Sequence, residues 1–192
     1  MLAGLFAEGE TRIKENVITR DHTEKIFLEF GIPIEIFSEK TFKTICVNKI
    51  QRIEPKDIRV PGDFSSASFF ILAALICPNS FLRLNNVGIN DTRIGFLHAL
   101  RNMGANIDLI NQKDTPEPIA DILVKTSVLQ GITLDTALVA NMIDEMPAFF
   151  MAAALAEGMT IVKDAKELRT KESDRLQAMA DSLNAFGISY QL

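Results

Sequence analysis

The strongest constraint on this chain is that it repeats itself. One run comprises Gly9–Lys14, Thr19–Thr23 and Phe30–Phe37. A second comprises Ser80–Leu84, Asn90–Arg93 and Met103–Leu109. A third comprises Gly158–Lys163, Thr170–Ser173 and Phe186–Tyr190. Each reads as a strand, a polar turn, an amphipathic helix, a glycine stop and a further strand. Leu176, Met179, Ala180, Leu183 and Phe186 fall at helical intervals, as do Ile94, Leu97, Leu100 and Met103. Gly31, Gly104 and Gly187 follow the three helices and suit left-handed C-terminal caps.

Second strands are expected at Lys43–Val47 and Ile119–Val124. Ser65–Cys77 and Pro147–Glu157 are apolar nearly all round, so both are expected to be buried helices. With an initial strand such as Arg52-Ile53 or Thr133-Leu134, the repeating unit becomes βαβαββ. The expected fold is α/β, a helix-and-sheet sandwich with a mixed sheet. Met1–Gly9 parallels Met151–Gly158, the back half of a helix starting near Pro147. Gly187–Leu192 reads as the first strand of a hairpin without its second. The expectation is a fragment that begins inside a helix.

Composition narrows the functional classes. The chain is 47 % hydrophobic and 23 % charged, which excludes a disordered or collagen-like chain. Its formal net charge of -5 disfavours a non-specific nucleic-acid binder, so an anionic ligand would need a local basic site. Cys46 and Cys77 lie in apolar runs and read as small core residues, and no metal-ligand spacing is present. The longest apolar run is too short for a bilayer, and a cytoplasmic protein is expected.

Three clusters could carry chemistry. Thr19-Arg20-Asp21-His22 and Thr170-Lys171-Glu172-Ser173-Asp174-Arg175 each put cations at an expected helix start, with Thr19 as a candidate cap for the first. Backbone N–H groups and cations there could bind an anion such as phosphate, and a carboxylate between cations could move a proton. From spacing alone, a solvated, salt-bridged helix start is the commoner reason for such charged first turns. The third is Met142–Pro147, where Asp144 could be a simple cap before a buried helix. Gly62–Ser66 reads as a loop and cap, without the lysine of a P-loop.

Four of these motifs in order resemble the 5-enolpyruvylshikimate-3-phosphate (EPSP) synthase family. They are Val60–Phe70, Thr19–Glu24, Ile143–Pro147 and Leu168–Arg175, the last close to the family's R-x-K-E-S/T-D-R. The resemblance implies an inside-out α/β barrel of two globular halves, each built from βαβαββ units. Residues 1–59 would end the first half and residues 60–192 open the second. It implies transfer of the enolpyruvyl group of phosphoenolpyruvate to the 5-hydroxyl of shikimate 3-phosphate, by addition and then elimination, in a monomer without a metal or organic cofactor. Asp144 would bind the shikimate hydroxyls and act as base, and Glu172 would protonate the phosphoenolpyruvate methylene. Arg20 and Lys171 would bind shikimate 3-phosphate, and Arg175 phosphoenolpyruvate. The family's N-terminal Lys-Ser pair, Gly-rich loop, Ser-Ser/Ala-Gln triplet and late Arg and Lys are missing from these residues, so the chain alone is expected to be inactive. Rival readings are the related UDP-N-acetylglucosamine enolpyruvyl transferase, which needs a reactive loop cysteine, and a non-catalytic anion-binding repeat module.

Overall fold

The computed structural model describes residues 1–16, 19–39, 42–114 and 116–192. Among these, two antiparallel three-stranded sheets are each covered by helices. In the first, β1 (Glu10–Glu15), β2 (Ile34–Ser38) and β3 (Lys43–Asn48) lie in the order β1-β3-β2, with α1 (His22–Glu29) between β1 and β2 in sequence. The second repeats the plan. Its strands β4 (Phe81–Gly88), β5 (Asn106–Lys113) and β6 (Ile119–Lys125) lie in the order β4-β6-β5, with α3 (Gly95–Asn102) between β4 and β5. Both sheets thus place their last strand centrally, as identical sequence periods would dictate. Gly31 and Gly104 end α1 and α3 at φ 68° and 88°, a conformation costly for residues bearing a Cβ.

The expected mixed sheet takes a different form. Every ladder is antiparallel, and the parallel pairings are single bridges: Gly62 to Val87, Gln130 to Glu157, and Thr133 to Ile161. The third repeat forms its helix, α6 (Arg175–Ala185), but neither Gly158–Lys163 nor Phe186–Tyr190 becomes a strand. A strand exists only through its ladder, and neither segment finds a full partner among the described residues. Arg52-Ile53 is likewise irregular, and Leu2–Leu5 is a short 3-10 turn rather than the end of an α-helix.

The large core joins the second sheet to α2 (Phe64–Ile76), α3, α4 (Thr136–Asn141) and α5 (Met146–Leu155). Phe96, Leu97, Leu100, Phe149, Ile122 and Met142 are wholly buried in it. A separate small core joins Leu5, Phe27, Ile32, Ile45 and Val47. Beside it Lys43 is buried with Nζ 2.6 Å from Glu24 and 3.1 Å from Glu15. Burial opposes its charge, but the two carboxylates outweigh that and raise its pKa.

The apolar helices α2 and α5 are not buried all round. Phe69, Phe70 and Ile76 on α2, and Leu155 on α5, are exposed. A helix apolar on every side needs neighbours on every side, and the described residues cover only one. Cys46 is buried in the central strand β3 as expected, whereas Cys77 is exposed at the C-terminal end of α2.

Candidate functional site

The N-terminal ends of five helices meet at one place. Arg20 precedes α1, Ser65 is in the first turn of α2, Arg93 precedes α3, Asp144 and Glu145 precede α5, and Arg175 opens α6. Unpaired N–H groups give each such end a partial positive charge. Three arginines add full charges, and the Asp144 carboxylate sits among them.

Asp144 Oδ2 accepts from Arg20 Nη2 and lies 3.3 Å from Arg93 Nη1. Oδ1 lies 3.5 Å from Arg175 Nη1. Burial alone would raise the Asp144 pKa, but the pairing with Arg20, then the charges of Arg93 and Arg175, carries it below the usual 3.8. Asp144 is therefore not the helix cap that its position allowed. Glu145 occupies that place and makes no side-chain capping bond.

Arg175 also donates from Nε (2.9 Å) and Nη2 (2.8 Å) to Glu172 Oε1. The exposed Glu172 carboxyl is held below its usual range, first by its own backbone N–H and then by Arg175. Arg20, Asp144, Glu172 and Arg175, separated by up to 155 positions in sequence, are thus brought into one connected network. Lys171 is not part of it, because its ammonium pairs with Glu167 at 2.8 Å.

The helix starts differ from expectation in detail. Asp21, not Thr19, is the N-cap of α1, and the Thr19 hydroxyl donates to Glu15 at 3.2 Å. Thr170 closes a 3-10 helix (Lys166–Thr170), and Asp174 caps α6 by accepting from the Gln177 amide at 2.9 Å. Asp21 makes no side-chain capping bond, so of the two only Asp174 caps its helix through its carboxylate. Arg20 and Lys171 stand just outside the first turns, whereas Arg175 is the first residue of α6. Gly62–Ser66 behaves as expected, with Asp63 capping α2 through the Ser66 amide at 2.7 Å.

Sequence reasoning missed Arg93, Ser65, Glu145 and Asn90. Arg93 Nη2 donates to Ser65 Oγ at 2.6 Å and lies 3.4 Å from Glu145 Oε1, and the Ser65 hydroxyl donates to that same oxygen. Arg93 had a signal: Thr92-Arg93 occupies the position in its repeat that Thr19-Arg20 occupies in the first. Buried Asn90 donates to Asp21 Oδ1 at 2.7 Å, and His22 Nδ1 is 2.7 Å from Glu117 Oε1. A cavity of about 720 Å³ opens beside these groups, with His22, Asp63, Asn90 and Arg93 in its wall. It is walled on another side by the Asp57–Gly62 connection between the two cores. Of Arg20, Arg93, Asp144, Glu172 and Arg175, Arg93 alone lines that wall, where cations and amide donors stand beside the carboxylates of Glu29, Asp57, Asp63 and Glu117, a mixed lining that suits a ligand bearing both phosphate and hydroxyl groups. No cluster of metal-ligating side chains occurs among the described residues, and no described helix is long and apolar enough to cross a membrane.

The family profile described as EPSP synthase (3-phosphoshikimate 1-carboxyvinyltransferase) matches residues 1–192. Proteins named 3-phosphoshikimate 1-carboxyvinyltransferase from Pelobacter propionicus and Geobacter metallireducens are 46 % and 47 % identical to it over 190 residues. In both, 98 % of this chain is matched but only 43 % of the relative, so the chain spans less than half their length. The solved EPSP synthase of Acinetobacter baumannii superposes with a TM-score of 0.85 at 45 % identity, over 95 % of this chain and 41 % of that one. The two repeats, the converging arginines and the match from end to end lead to one conclusion: the chain belongs to the EPSP synthase family.

Proposed function

We propose that this chain carries part of the site for enolpyruvyl transfer from phosphoenolpyruvate to the 5-hydroxyl of shikimate 3-phosphate. The observation that supports this best is the convergence of Arg20, Arg93 and Arg175 on the Asp144 carboxylate, with Glu172 on Arg175. Asp144 orients the shikimate hydroxyls and takes the 5-hydroxyl proton as the new C–O bond forms. Glu172 delivers a proton to the methylene carbon, giving the tetrahedral intermediate. In the second step the methyl group returns a proton to Glu172, the C–O bond to phosphate breaks, and the leaving phosphate takes up the proton that Asp144 had accepted. Arg20 binds shikimate 3-phosphate and Arg175 phosphoenolpyruvate, and Lys171 joins Arg20 on leaving its pairing with Glu167.

Glu172 as it stands is ionised and cannot donate. An anionic phosphoenolpyruvate that engaged Arg175 would remove one of the contacts that keep it so. Residues 1–59 and 60–192 then belong to two halves, a division supported by their separate cores. Small charged substrates fit a cytoplasmic setting. The rival transferase that depends on a reactive cysteine is disfavoured, since Cys46 is buried in β3 and Cys77 stands at the end of α2 opposite Ser65.

The test is an enzyme in which this chain replaces the matching 43 % of the Geobacter metallireducens relative. Phosphate release dependent on both substrates is expected from that chimera and essentially none from the chain alone, because single preorganised donors are worth about 10²–10³ in rate. A folded chimera releasing no phosphate refutes the proposal.

A further inference from the structure

Glu145 has no place in the roles above, yet it is the most deeply buried acid in the site. Its side chain has no solvent exposure. Oε1 accepts from the Ser65 hydroxyl and faces Arg93, whereas Oε2 has no hydrogen-bond partner among the described residues. Burial raises its pKa, against the opposing pull of Ser65 and Arg93. Such a group is a poor choice for stability. An incompletely paired buried carboxylate destabilises the fold, and apolar residues of similar volume do as well or better. Its neighbours give it another use. The Arg93 guanidinium is nearly buried and is held from two sides, Nη1 toward Asp144 and Nη2 on Ser65 and Glu145. A planar fork gripped at both ends cannot turn. Released at one end, it would rotate and leave Asp144 Oδ2 to Arg20, which is half exposed.

We propose that Glu145, through Ser65 and Arg93, is a positioning residue that fixes the orientation of the Asp144 carboxylate. This rests on the reading of Asp144 as the base in enolpyruvyl transfer. Ser65 both accepts from Arg93 and donates to Glu145, so the three side chains form a directed chain ending at the buried acid.

The variants are Glu145→Gln, which keeps the shape and the acceptor for Ser65 but removes the charge, and Ser65→Ala, which removes the link while leaving the acid. Two readouts are taken. In the chimeric enzyme, both variants are expected to lower kcat, Glu145→Gln by about 10- to 100-fold, since misplacement of a reacting group by an ångström costs that much. KM for phosphoenolpyruvate should stay within about threefold, because its contacts are untouched. In the chain itself, ¹⁵N NMR of the arginine side chains should show slow rotation of the Arg93 guanidinium that is lost in both variants. Should Glu145→Gln fail to fold, Ser65→Ala carries the same test. Arg93 still held in the variants overturns the proposal. So does an unchanged kcat in an enzyme that Asp144→Asn inactivates. A fully active Asp144→Asn enzyme gives a different pattern: it overturns the reading of Asp144 as base and removes the consequence assigned to Glu145 with it.

Discussion

Replacing Asp144 by asparagine should destabilise the chain even without any ligand, the reverse of what is common when an active-site charge is removed. The reason is that the carboxylate is already neutralised internally. Three arginines point at it, with Arg93 at 3.3 Å and Arg175 at 3.5 Å, and asparagine would leave them facing one another. A charge pair about 4 Å apart is worth about 4 kcal/mol at an effective dielectric near 20. That figure must be reduced, because Asp144 and Arg20 retain 33 % and 45 % side-chain exposure and exposed pairs contribute only about 0.2–1 kcal/mol. Arg93 at 12 % is the better-sheltered partner. A net loss of about 1–3 kcal/mol at pH 7 and low salt is expected. The sign with pH follows from the lowered pKa. Asp144 contributes stability above its unfolded value near 3.8, and that contribution fades as the pH falls through its lower folded value. Urea unfolding of both proteins should therefore give curves separated at pH 7 with equal slopes, converging as the pH is taken below about 4. Equal stabilities at pH 7, or a gap that persists undiminished in acid, would refute the electrostatic reasoning.

Other consequences are simpler to state. Phe149→Ala should cost about 3–5 kcal/mol in the same assay, because the ring is wholly buried where α5 packs on α2, α3 and α6; a loss under 1 kcal/mol would contradict the packing. Gly131→Ala should cost about 1–3 kcal/mol, since a Cβ there would stand 2.5 Å from the Met159 carbonyl oxygen across the Gln130–Glu157 bridge; wild-type thermal stability would argue against that contact. Asp121, pushed down to about 2 by Asn111, the Asn86 amide and Arg83, should lend stability that is full above pH 4 and lost toward pH 2, so Asp121→Asn should flatten that part of the acid-unfolding profile. Hydrogen exchange should find Ile45 and Val47 less protected than Ile122 and Val124, the former pair sitting in the smaller core; equal protection would contradict a division near residue 59.

The repeat made most of the fold legible. Apolar spacing and a glycine stop are local signals, and they located α1, α3 and α6 and the strands β1 to β6 closely. They could not reveal the sheets' pairing, because a ladder depends on which partner is present. This is why Gly158–Lys163 reads as a strand yet makes only an isolated bridge through Ile161. Helices α2 and α5 misled in the same way, since an all-apolar sequence announces a wish for neighbours without supplying them. In the site, Asp144, Glu172, Arg20 and Arg175 were legible through motifs, and Arg93 lay in plain view at the repeat position of Arg20. Ser65 and Glu145 lie inside the Val60–Phe70 and Ile143–Pro147 motifs, but nothing in those motifs singled them out. A serine in a first turn and an acid before a helix are ordinary capping residues, and only the meeting of α2, α3 and α5 turns them toward one guanidinium.

The meeting of three distant arginines at one carboxylate is tested most directly by titrating Asp144 itself, through its ¹³C carboxyl resonance in the isolated chain. The midpoint is expected below 3.8 and should rise when Arg20 is replaced by alanine, although Arg20 lies 124 positions away in sequence. A midpoint at or above the ordinary value, or one indifferent to Arg20, would contradict the convergence on which the site rests.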